Sequence, residues 1–274
     1  MRVSLNVYML LALAFNIKSA FGASYTRTQN VVGTGFYSAF TFEAVADPSH
    51  GRVHYVNVST TQAQNLSFAT ASTFILRADA HTVIDDASTV GRASVRMRTN
   101  ATYTTHVALF DIAHMPQGCG ENVGTNCTSG NGCGVRAPHN QWSYGPTFNN
   151  AGGGWYALER TSTFINVWFW SRNATSPTGK SVPADVRTAG TTVNTTAWGT
   201  PTANFPHTSC DFPTFFDANT IIINLTFCGD YAGNSIVYAQ SGCPSTCKTR
   251  NFVDQNPTAF TNAYFQLNSM NIYE

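Results

Sequence analysis

The chain has 274 residues, of which 11% are charged, and its 15 basic and 14 acidic side chains give a formal net charge of +1. An average soluble protein has about 25% charged residues. The near-neutral balance excludes the basic surface that a nucleic-acid or anionic-membrane partner would need, so we expect neither partner.

The first 22 residues have the pattern of a secretory signal peptide. Arg2 precedes the apolar run "VYMLLALAF" (7–15), and Ala20-Phe21-Gly22 gives a small-x-small cleavage site. An apolar run of this length is too short to span a bilayer. We therefore expect a secreted protein, extracellular or in a cell wall, without a membrane span. The mature chain, 23–274, is predicted to be one domain.

The rest of the chain consists of short runs rich in β-branched and aromatic residues, separated by turn residues. No segment has a sustained period of 3.6 residues. The predicted strands are 39–45, 52–58, 73–78, 94–99, 106–112, 154–160, 163–170, 220–227 and 263–273. Many strands with few charges predict an all-β fold, a β-sandwich, with almost no helix.

Alternation along three of these strands predicts which side chains share a face. The residues expected together on one face of 92–98 are Arg92, Ser94, Arg96 and Arg98. The apolar face of 221–228 is expected to carry Ile221, Ile223, Leu225 and Phe227. Trp168 and Trp170 share a face with Asn166. Aromatic and polar groups together suit sugar rings, and the alternative is that both tryptophans belong to the core.

Asparagine sequons and cysteines fit an oxidising, extracellular compartment. The N-x-[ST] sequons begin at Asn57, Asn65, Asn100, Asn126, Asn173, Asn194 and Asn224. In a secreted chain some of them carry glycans, whereas Asn224, inside a predicted strand, is expected to be unmodified. The cysteines are Cys119, Cys127, Cys133, Cys210, Cys228, Cys243 and Cys247. They predict disulfides, and their odd number leaves one unpaired.

Several stretches, in order along nearly the whole mature chain, resemble fungal laminarinase-like enzymes of glycoside hydrolase family 16. They include "GTGFYSAFTFEAVADPSHGRVHYV" (33–56), "GRASVRMR" (91–98), "YTTHVALFDIAHMPQGCG" (103–120), "GGGWYALERTSTFINVWFWSRN" (152–173) and "IIINLTFCGDYAG" (221–233). The resemblance implies a concanavalin A-like jelly-roll sandwich. It further implies an endo-β-1,3(4)-glucanase whose concave sheet binds β-1,3 or mixed β-1,3/1,4-glucan, with no cofactor.

The catalytic segment of that family is missing. The family would place a Trp-Pro-x-x-Trp stretch after "QGCG" (117–120), then a strand with E-x-D-x-x-E, whose two glutamates flank the bond about 5–5.5 Å apart. Here Gly120 is followed directly by Glu121, and no E-x-D or E-x-x-E occurs. Glu121 is the only carboxylate between Asp111 and Glu159, and we interpret it as a loop acid. The sequence therefore predicts an internal deletion at 120/121, no catalytic residue and no hydrolysis.

The resemblance also implies two remaining substrate-binding residues. Arg96 corresponds to a concave-face arginine that hydrogen-bonds sugar hydroxyls, and Tyr231 takes the place of a tryptophan that stacks on a glucose ring. The alternatives are an ion-paired or solvated Arg96 and a Tyr231 that only packs in its loop. The histidines show no metal-ligand spacing, so neither a metal nor a cofactor is expected.

The deletion has structural consequences as well. Losing central strands forfeits on the order of 5–9 kcal/mol per strand, and an incomplete concave sheet leaves backbone groups unpaired. The family segment carries one cysteine, so its loss implies an unpaired partner among Cys119, Cys127 and Cys133. We expect poor folding, with a monomer or aberrant disulfide-linked oligomers. Three interpretations stay open: a truncated or mis-spliced product of an enzyme gene, a lectin-like glucan-binding module, and a decayed product without function.

Overall fold

The computed structural model describes residues 23–85, 87–117, 135, 142–173, 181–240, 244, 247 and 250–274. The strands are β1 (Ser24–Val31), β2 (Phe40–Phe42), β3 (Val53–Tyr55), β4 (Ser67–Ala69), β5 (Phe74–Arg77), β6 (Arg92–Ser94), β7 (Arg96–Thr99), β8 (His106–His114), β9 (Gly154–Arg160), β10 (Phe164–Ser171), β11 (Thr192–Asn194), β12 (Ala203–Pro206), β13 (Ile222–Asn224) and β14 (Tyr264–Tyr273). The α-helices are α1 (Gly35–Ala39), α2 (Val58–Ala63), α3 (Gly145–Asn150), α4 (Ala184–Thr188), α5 (Phe212–Phe215), α6 (Ser235–Gln240) and α7 (Arg250–Gln255). Short 3-10 helices cover Thr195–Trp198, His207–Ser209 and Pro257–Phe260.

A large antiparallel sheet forms one layer of the fold. Its main path runs β11-β1-β14-β8-β9-β10-β12, and β5 also pairs with β14 and with β4, which makes nine strands. The last strand, β14, lies in the middle, between β1 and β8. The large sheet therefore joins the two ends of the described chain in its centre.

A small antiparallel sheet, ordered β13-β7-β2, forms the second layer. Beside it, β3 and β6 form a short parallel pair. Apolar side chains fill the space between the two sheets. They include Phe40, Met97 and Leu225 from the small sheet and its continuation, and Leu267, Met270 and Ile272 from β14. The two layers thus form a β-sandwich, which agrees with the predicted all-β fold.

The large sheet is buried on its other face too. Alternate residues of β8 enter different clusters: Ala108 packs between the sheets, and Val107 packs on the far side. The far-side cluster is closed by the segment around α4 and β11, through Val186, Val193 and Trp198. Both faces are therefore apolar, which explains why β8 reads as a continuous hydrophobic run rather than a simple alternation.

Trp168 and Trp170 lie in this far-side core, 4% and 3% exposed. Both rings meet Trp198 edge-on, with centroids 5.2 and 5.6 Å away. The idea that they form a sugar platform is wrong, and the core alternative is confirmed. The reason is the segment around Trp198, which covers a face that strand alternation alone would leave open.

The prediction that Arg92, Ser94, Arg96 and Arg98 share one face is also wrong in part. Arg92 and Ser94 are buried, and so is Val95, so the alternation changes phase between Ser94 and Val95. The chain is not a strand at Val95, and β6 and β7 pair with different partners on either side of it. Arg92 therefore points into the protein, while Arg96 and Arg98 point out.

Most predicted strands are present, some in shorter form. β9 has the predicted bounds, and β8, β10 and β14 differ from them by one or two residues. The run 52–58 ends early because Asn57 caps α2, accepting a hydrogen bond from Thr60 N. The strand expected over 220–227 is only Ile222–Asn224, and Cys228, just after it, has a positive φ of 56°. Short helices of four to six residues, and strands β1, β4, β11 and β12, were not predicted.

In the part of the chain described above, no helix is long and apolar enough to cross a membrane.

Candidate functional site

Arg96 lies on β7, the middle strand of the small sheet, and points away from the core. Its neighbours Val95 and Met97 are fully buried. The register places Arg96 opposite Asn224 on one side, and Arg98 opposite Thr41 and Ile222. Side chains directly opposite in a sheet share a face. We call this surface the open face; it carries Thr41, Glu43, Arg96, Arg98, Ile222 and Asn224.

Glu43 connects the two arginines of the open face. Its Oε2 accepts from Arg96 Nε at 2.9 Å, and its Oε1 accepts from Arg98 Nε at 2.8 Å. The hydrogen bond from Arg98 contributes most to holding the pKa of Glu43 below its ordinary 4.5; burial opposes this shift and Arg96 reinforces it. Glu43 is therefore an anion whose two oxygens each accept a hydrogen bond from an arginine, and it is unsuited to donate a proton at neutral pH.

A second set of contacts ties the end of β13 to the 47–51 loop. Asp47 accepts hydrogen bonds from the Thr226 hydroxyl at 2.5 Å and from the backbone N–H groups of Ser49 and Gly51. Burial alone would raise the pKa of Asp47, but these hydrogen bonds outweigh it and lower the pKa below 3.8. A Cβ at position 51 would lie 2.2 Å from Thr226 Oγ1, so only glycine allows this approach.

Tyr231 lies in the turn that follows β13, and it is half-buried. The preceding residue, Asp230, contacts His50 Nδ1 at 3.0 Å, and this hydrogen bond raises the pKa of His50 above 6.5. The same 47–51 loop therefore holds both Thr226 and Asp230. Arg96 and Tyr231 are thus connected through β13: Asn224 is opposite Arg96, and Tyr231 follows seven residues later.

The open face and the turn after β13 belong to a domain whose family is identified by comparison with known proteins. A family model described as the XgeA-like catalytic domain of glycoside hydrolase family 16 matches residues 40–122 and 120–273. The chain belongs to glycoside hydrolase family 16.

Relatives of this family 16 chain include fungal proteins. A probable glycosidase of Schizosaccharomyces pombe is 30% identical over 92% of this chain and 70% of its own length. A probable endo-1,3(4)-β-glucanase of Aspergillus clavatus is 33% identical over 92% of this chain. The chain spans 46% of that second relative's length. The resemblance to fungal laminarinase-like members of family 16 is therefore confirmed.

Solved structures of family 16 members have the same fold. Laminarinase 16A of Phanerochaete chrysosporium, solved with β-glucans in both donor and acceptor sites, is 44% identical, with a TM-score of 0.84 over 92% of this chain and 100% of that one. An elongating family 16 β-1,3-glucosyltransferase is 26% identical, with a TM-score of 0.78 over 91% of this chain and 100% of that one. The jelly-roll β-sandwich predicted from the resemblance is confirmed.

Carboxylates near the open face are engaged in contacts within the protein. A retaining glycosidase needs two carboxyl groups about 5–5.5 Å apart, one of them with a raised pKa. Glu43 and Asp47 both have lowered pKa values. Glu121, the acid beside the predicted deletion, lies outside the described residues. The described part of the open face can donate hydrogen bonds through its arginines, and its carboxylate, Glu43, is engaged by both of them.

The described cysteines include one disulfide-bonded pair and one free thiol. Cys228, at the end of the segment after β13, forms a disulfide with Cys247. Among the described residues, the free thiol belongs to Cys210, which is half-buried. The unpaired cysteine expected among Cys119, Cys127 and Cys133 stays a prediction. These three and Cys243 lie outside the described residues.

Sequence reasoning missed Glu43, Asp47 and Tyr55 as parts of this site. Tyr55 Oη accepts from Asn224 Nδ2 at 2.7 Å, although the tyrosine is 1% exposed. One signal was present: Glu43 is the only acid inside the predicted strand 39–45, and the predicted strand 94–99 carries two arginines on one face. Pairing of these two strands could not be read from the sequence, because 48 residues lie between the predicted segments.

Proposed function

We propose that this family 16 chain is a secreted protein that binds β-1,3 or mixed β-1,3/1,4-glucan and does not hydrolyse it. The observation that carries the proposal is the open face: it presents Arg96 and Arg98 to solvent and lacks a pair of free carboxylates among the described residues. Arginine donors suit sugar hydroxyls, and Tyr231 adds an aromatic ring at the end of β13.

Binding is supported by what the open face has in common with sites for sugars. Polar groups there are held in fixed positions by the contacts of Glu43, Asn224 and Thr226. Ile222, 42% exposed, gives apolar surface next to Arg98. The laminarinase from P. chrysosporium, solved with β-glucans in its donor and acceptor sites, has the same fold. We infer that the glucan lies across the open face and reaches Tyr231.

Loss of hydrolysis is supported by the sequence around Gly120. No E-x-D-x-x-E occurs in the chain, and removal of a whole catalytic set can cost about 10⁶ in rate. The two matches to the family model meet at residues 120–122. The alignment with the S. pombe relative runs over 308 residues, more than the 274 of this chain, so that relative has residues without a counterpart here.

Two assays on the purified protein, secreted by a recombinant host, test the proposal. We expect retardation of the protein in a native gel containing laminarin, and no release of reducing sugar above a mock preparation. Arg96→Ala should reduce the retardation, while Arg187→Ala, a change at an exposed arginine of α4, should leave it unchanged. Release of reducing sugar would overturn the absence of hydrolysis, and migration unaffected by laminarin would overturn binding.

A second candidate is an active endo-β-1,3(4)-glucanase from whose gene this chain is a truncated or mis-spliced product. The continuity of the family match on both sides of residue 120 favours it. Reading the genomic DNA between the codons for Gly120 and Glu121 decides the matter. An in-frame stretch encoding W-P-x-x-W and E-x-D-x-x-E would support the enzyme, and its absence would leave the binding protein or a product without function.

A further inference from the structure

We infer that Glu43 is a positioning residue that holds Arg96 and Arg98 side by side as a paired hydrogen-bond donor for glucan hydroxyls. Arg98 is thereby a further glucan-binding residue. This inference rests on the proposed glucan binding and assigns it to particular atoms, the terminal nitrogens of the two arginines.

The geometry of the bridge leaves the donors free. Glu43 contacts both arginines through Nε alone. In the described part of the chain, the buried side-chain nitrogen and oxygen atoms without a hydrogen-bond partner are Arg77 Nε and Tyr273 Oη. No atom of Arg96 or Arg98 is among them. The terminal nitrogens of Arg96 and Arg98, which no acceptor within that part engages, therefore reach solvent. Each guanidinium group keeps two NH₂ groups available to a ligand.

Charge explains why the bridge is needed. Arg96 and Arg98 are two residues apart on one face of β7, so their Cα atoms are roughly 7 Å apart. Two cations at this distance repel each other. One carboxylate placed between them offsets the repulsion and fixes both Nε atoms. A long, flexible side chain that is already held in place loses less conformational freedom when it binds a ligand.

Exposure distinguishes the two arginines. The side chain of Arg98 is 42% exposed, whereas those of Arg96 and Glu43 are 16% and 17% exposed. Arg98 is also flanked by Thr41 and Ile222 in register. The Thr41 hydroxyl donates to Asn100 and can still accept a hydrogen bond. An acceptor on one side and the apolar surface of Ile222 on the other suit the edge and the face of a pyranose ring. Arg98 is therefore the more accessible donor of the pair.

The experiment measures the affinity of the secreted protein for laminarihexaose by calorimetry, together with the melting temperature of each variant. Glu43→Gln removes the charge and keeps the shape, and we expect roughly 10-fold weaker binding, the loss typical of an oriented charge-assisted hydrogen bond. Arg98→Gln should weaken binding by a similar factor. The double variant should bind more weakly than Arg98→Gln alone, but less weakly than the product of the two single losses, because Glu43 acts through both arginines and Arg96 remains. Glu274→Gln, at an exposed carboxylate that accepts from Thr28, is the matched control.

Arg98→Lys separates positioning from stability. Lysine keeps an ion pair with Glu43 but lacks the forked terminal nitrogens, so we expect an unchanged melting temperature and weaker binding. This variant keeps the test informative if Glu43→Gln folds poorly. A role limited to stability would instead leave the affinity of Arg98→Lys at the wild-type value, which would overturn the inference.

The remaining outcomes are equally distinct. If the wild-type protein does not bind laminarihexaose, the proposed function and this inference both fall. If it binds and Glu43→Gln and Arg98→Gln bind as tightly, glucan binding stands and the inference is overturned. Additive losses in the double variant would mean that Glu43 contacts the glucan directly, which contradicts a positioning role.

Discussion

Arg92 and Asp79 form an ion pair inside the protein, with Arg92 Nη1 3.2 Å from Asp79 Oδ2 and no exposed surface on the arginine side chain. The guanidinium group also donates to the carbonyl oxygens of Thr82, Val253 and Asp254. It therefore joins β6, the loop after β5 and helix α7. A cation that is buried with all of these acceptors is a structural element, unlike Arg96 and Arg98 on the same segment of chain.

Replacing Arg92 should destabilise the protein strongly. Arg92→Leu removes the cation paired with Asp79 and one donor each from the carbonyl oxygens of Asp79, Thr82, Val253 and Asp254. Breaking a buried ion pair from one side costs about 3–5 kcal/mol. Urea denaturation of both proteins measures the change. Arg187→Leu, at an exposed arginine, should stay within about 0.5 kcal/mol of wild type. A loss below about 1 kcal/mol for Arg92→Leu would contradict the structural role.

Trp198 should matter for stability and not for glucan binding. It packs against Trp168 and Trp170, and its Nε1 donates to Asp185 at 3.1 Å. Trp198→Ala should cost about 3–5 kcal/mol, measured by urea denaturation, with unchanged affinity in the fraction that remains folded. Phe215→Ala, at a ring that is 72% exposed, is the control and should have little effect on stability. Weaker binding of laminarin by folded Trp198→Ala would show that the far-side cluster contributes to the proposed glucan site.

Acid should weaken the contact between the 47–51 loop and Thr226. The pKa of Asp47 is lowered below 3.8 in the folded protein, so the folded state binds fewer protons than the unfolded chain there. Its stabilising contribution is complete above pH 3.8 and is lost as the pH falls through the lowered pKa. Asp47→Asn should therefore melt below wild type at pH 6, with a difference that shrinks toward pH 2.5. Asp217→Asn, at an exposed carboxylate, serves as control, and a pH-independent difference for Asp47→Asn would refute the assignment.

Cys210 should be the reactive thiol in the described part of the chain. It is half-buried and unpaired, whereas Cys228 and Cys247 are bonded to each other. Iodoacetamide treatment of the folded protein followed by peptide mass spectrometry should show label at Cys210 and none at the bonded pair. Any disulfide-linked oligomers seen on a non-reducing gel should disappear in Cys210→Ser. Oligomers that persist in this variant would point to a cysteine outside the described residues.

The periodic parts of the fold were predictable, and the parts that depend on distant contacts were not. The run 154–160 is flanked by glycines on one side and polar residues on the other, and it forms β9 with the same bounds. The apolar face of Ile221, Ile223, Leu225 and Phe227 is also present, as all four pack in the core between the sheets. Both features follow from local patterns, which is why the sequence alone could reveal them.

The errors share a physical cause: a distant segment decides the environment. Arg92 was expected on the same face as Arg96, but the acceptors that bury it come from α7 and from the loop after β5. Trp168 was a candidate for stacking on a sugar ring, but Trp198 packs against it and buries it. For the candidate site, Arg96 and Tyr231 could be named from the resemblance, while Glu43 could not, since its role depends on how β2 and β7 pair.

The central position of β14 has a consequence for biosynthesis. This strand, which comes last in the sequence, pairs with β1, β5 and β8. Until residues 264–273 have left the ribosome, these three neighbours lack the partner that joins them. Contacts between such distant parts of a chain also form slowly. Closure of the large sheet is therefore expected only once residues 264–273 have been synthesised, and until then the nascent chain carries open strand edges that can pair with other chains.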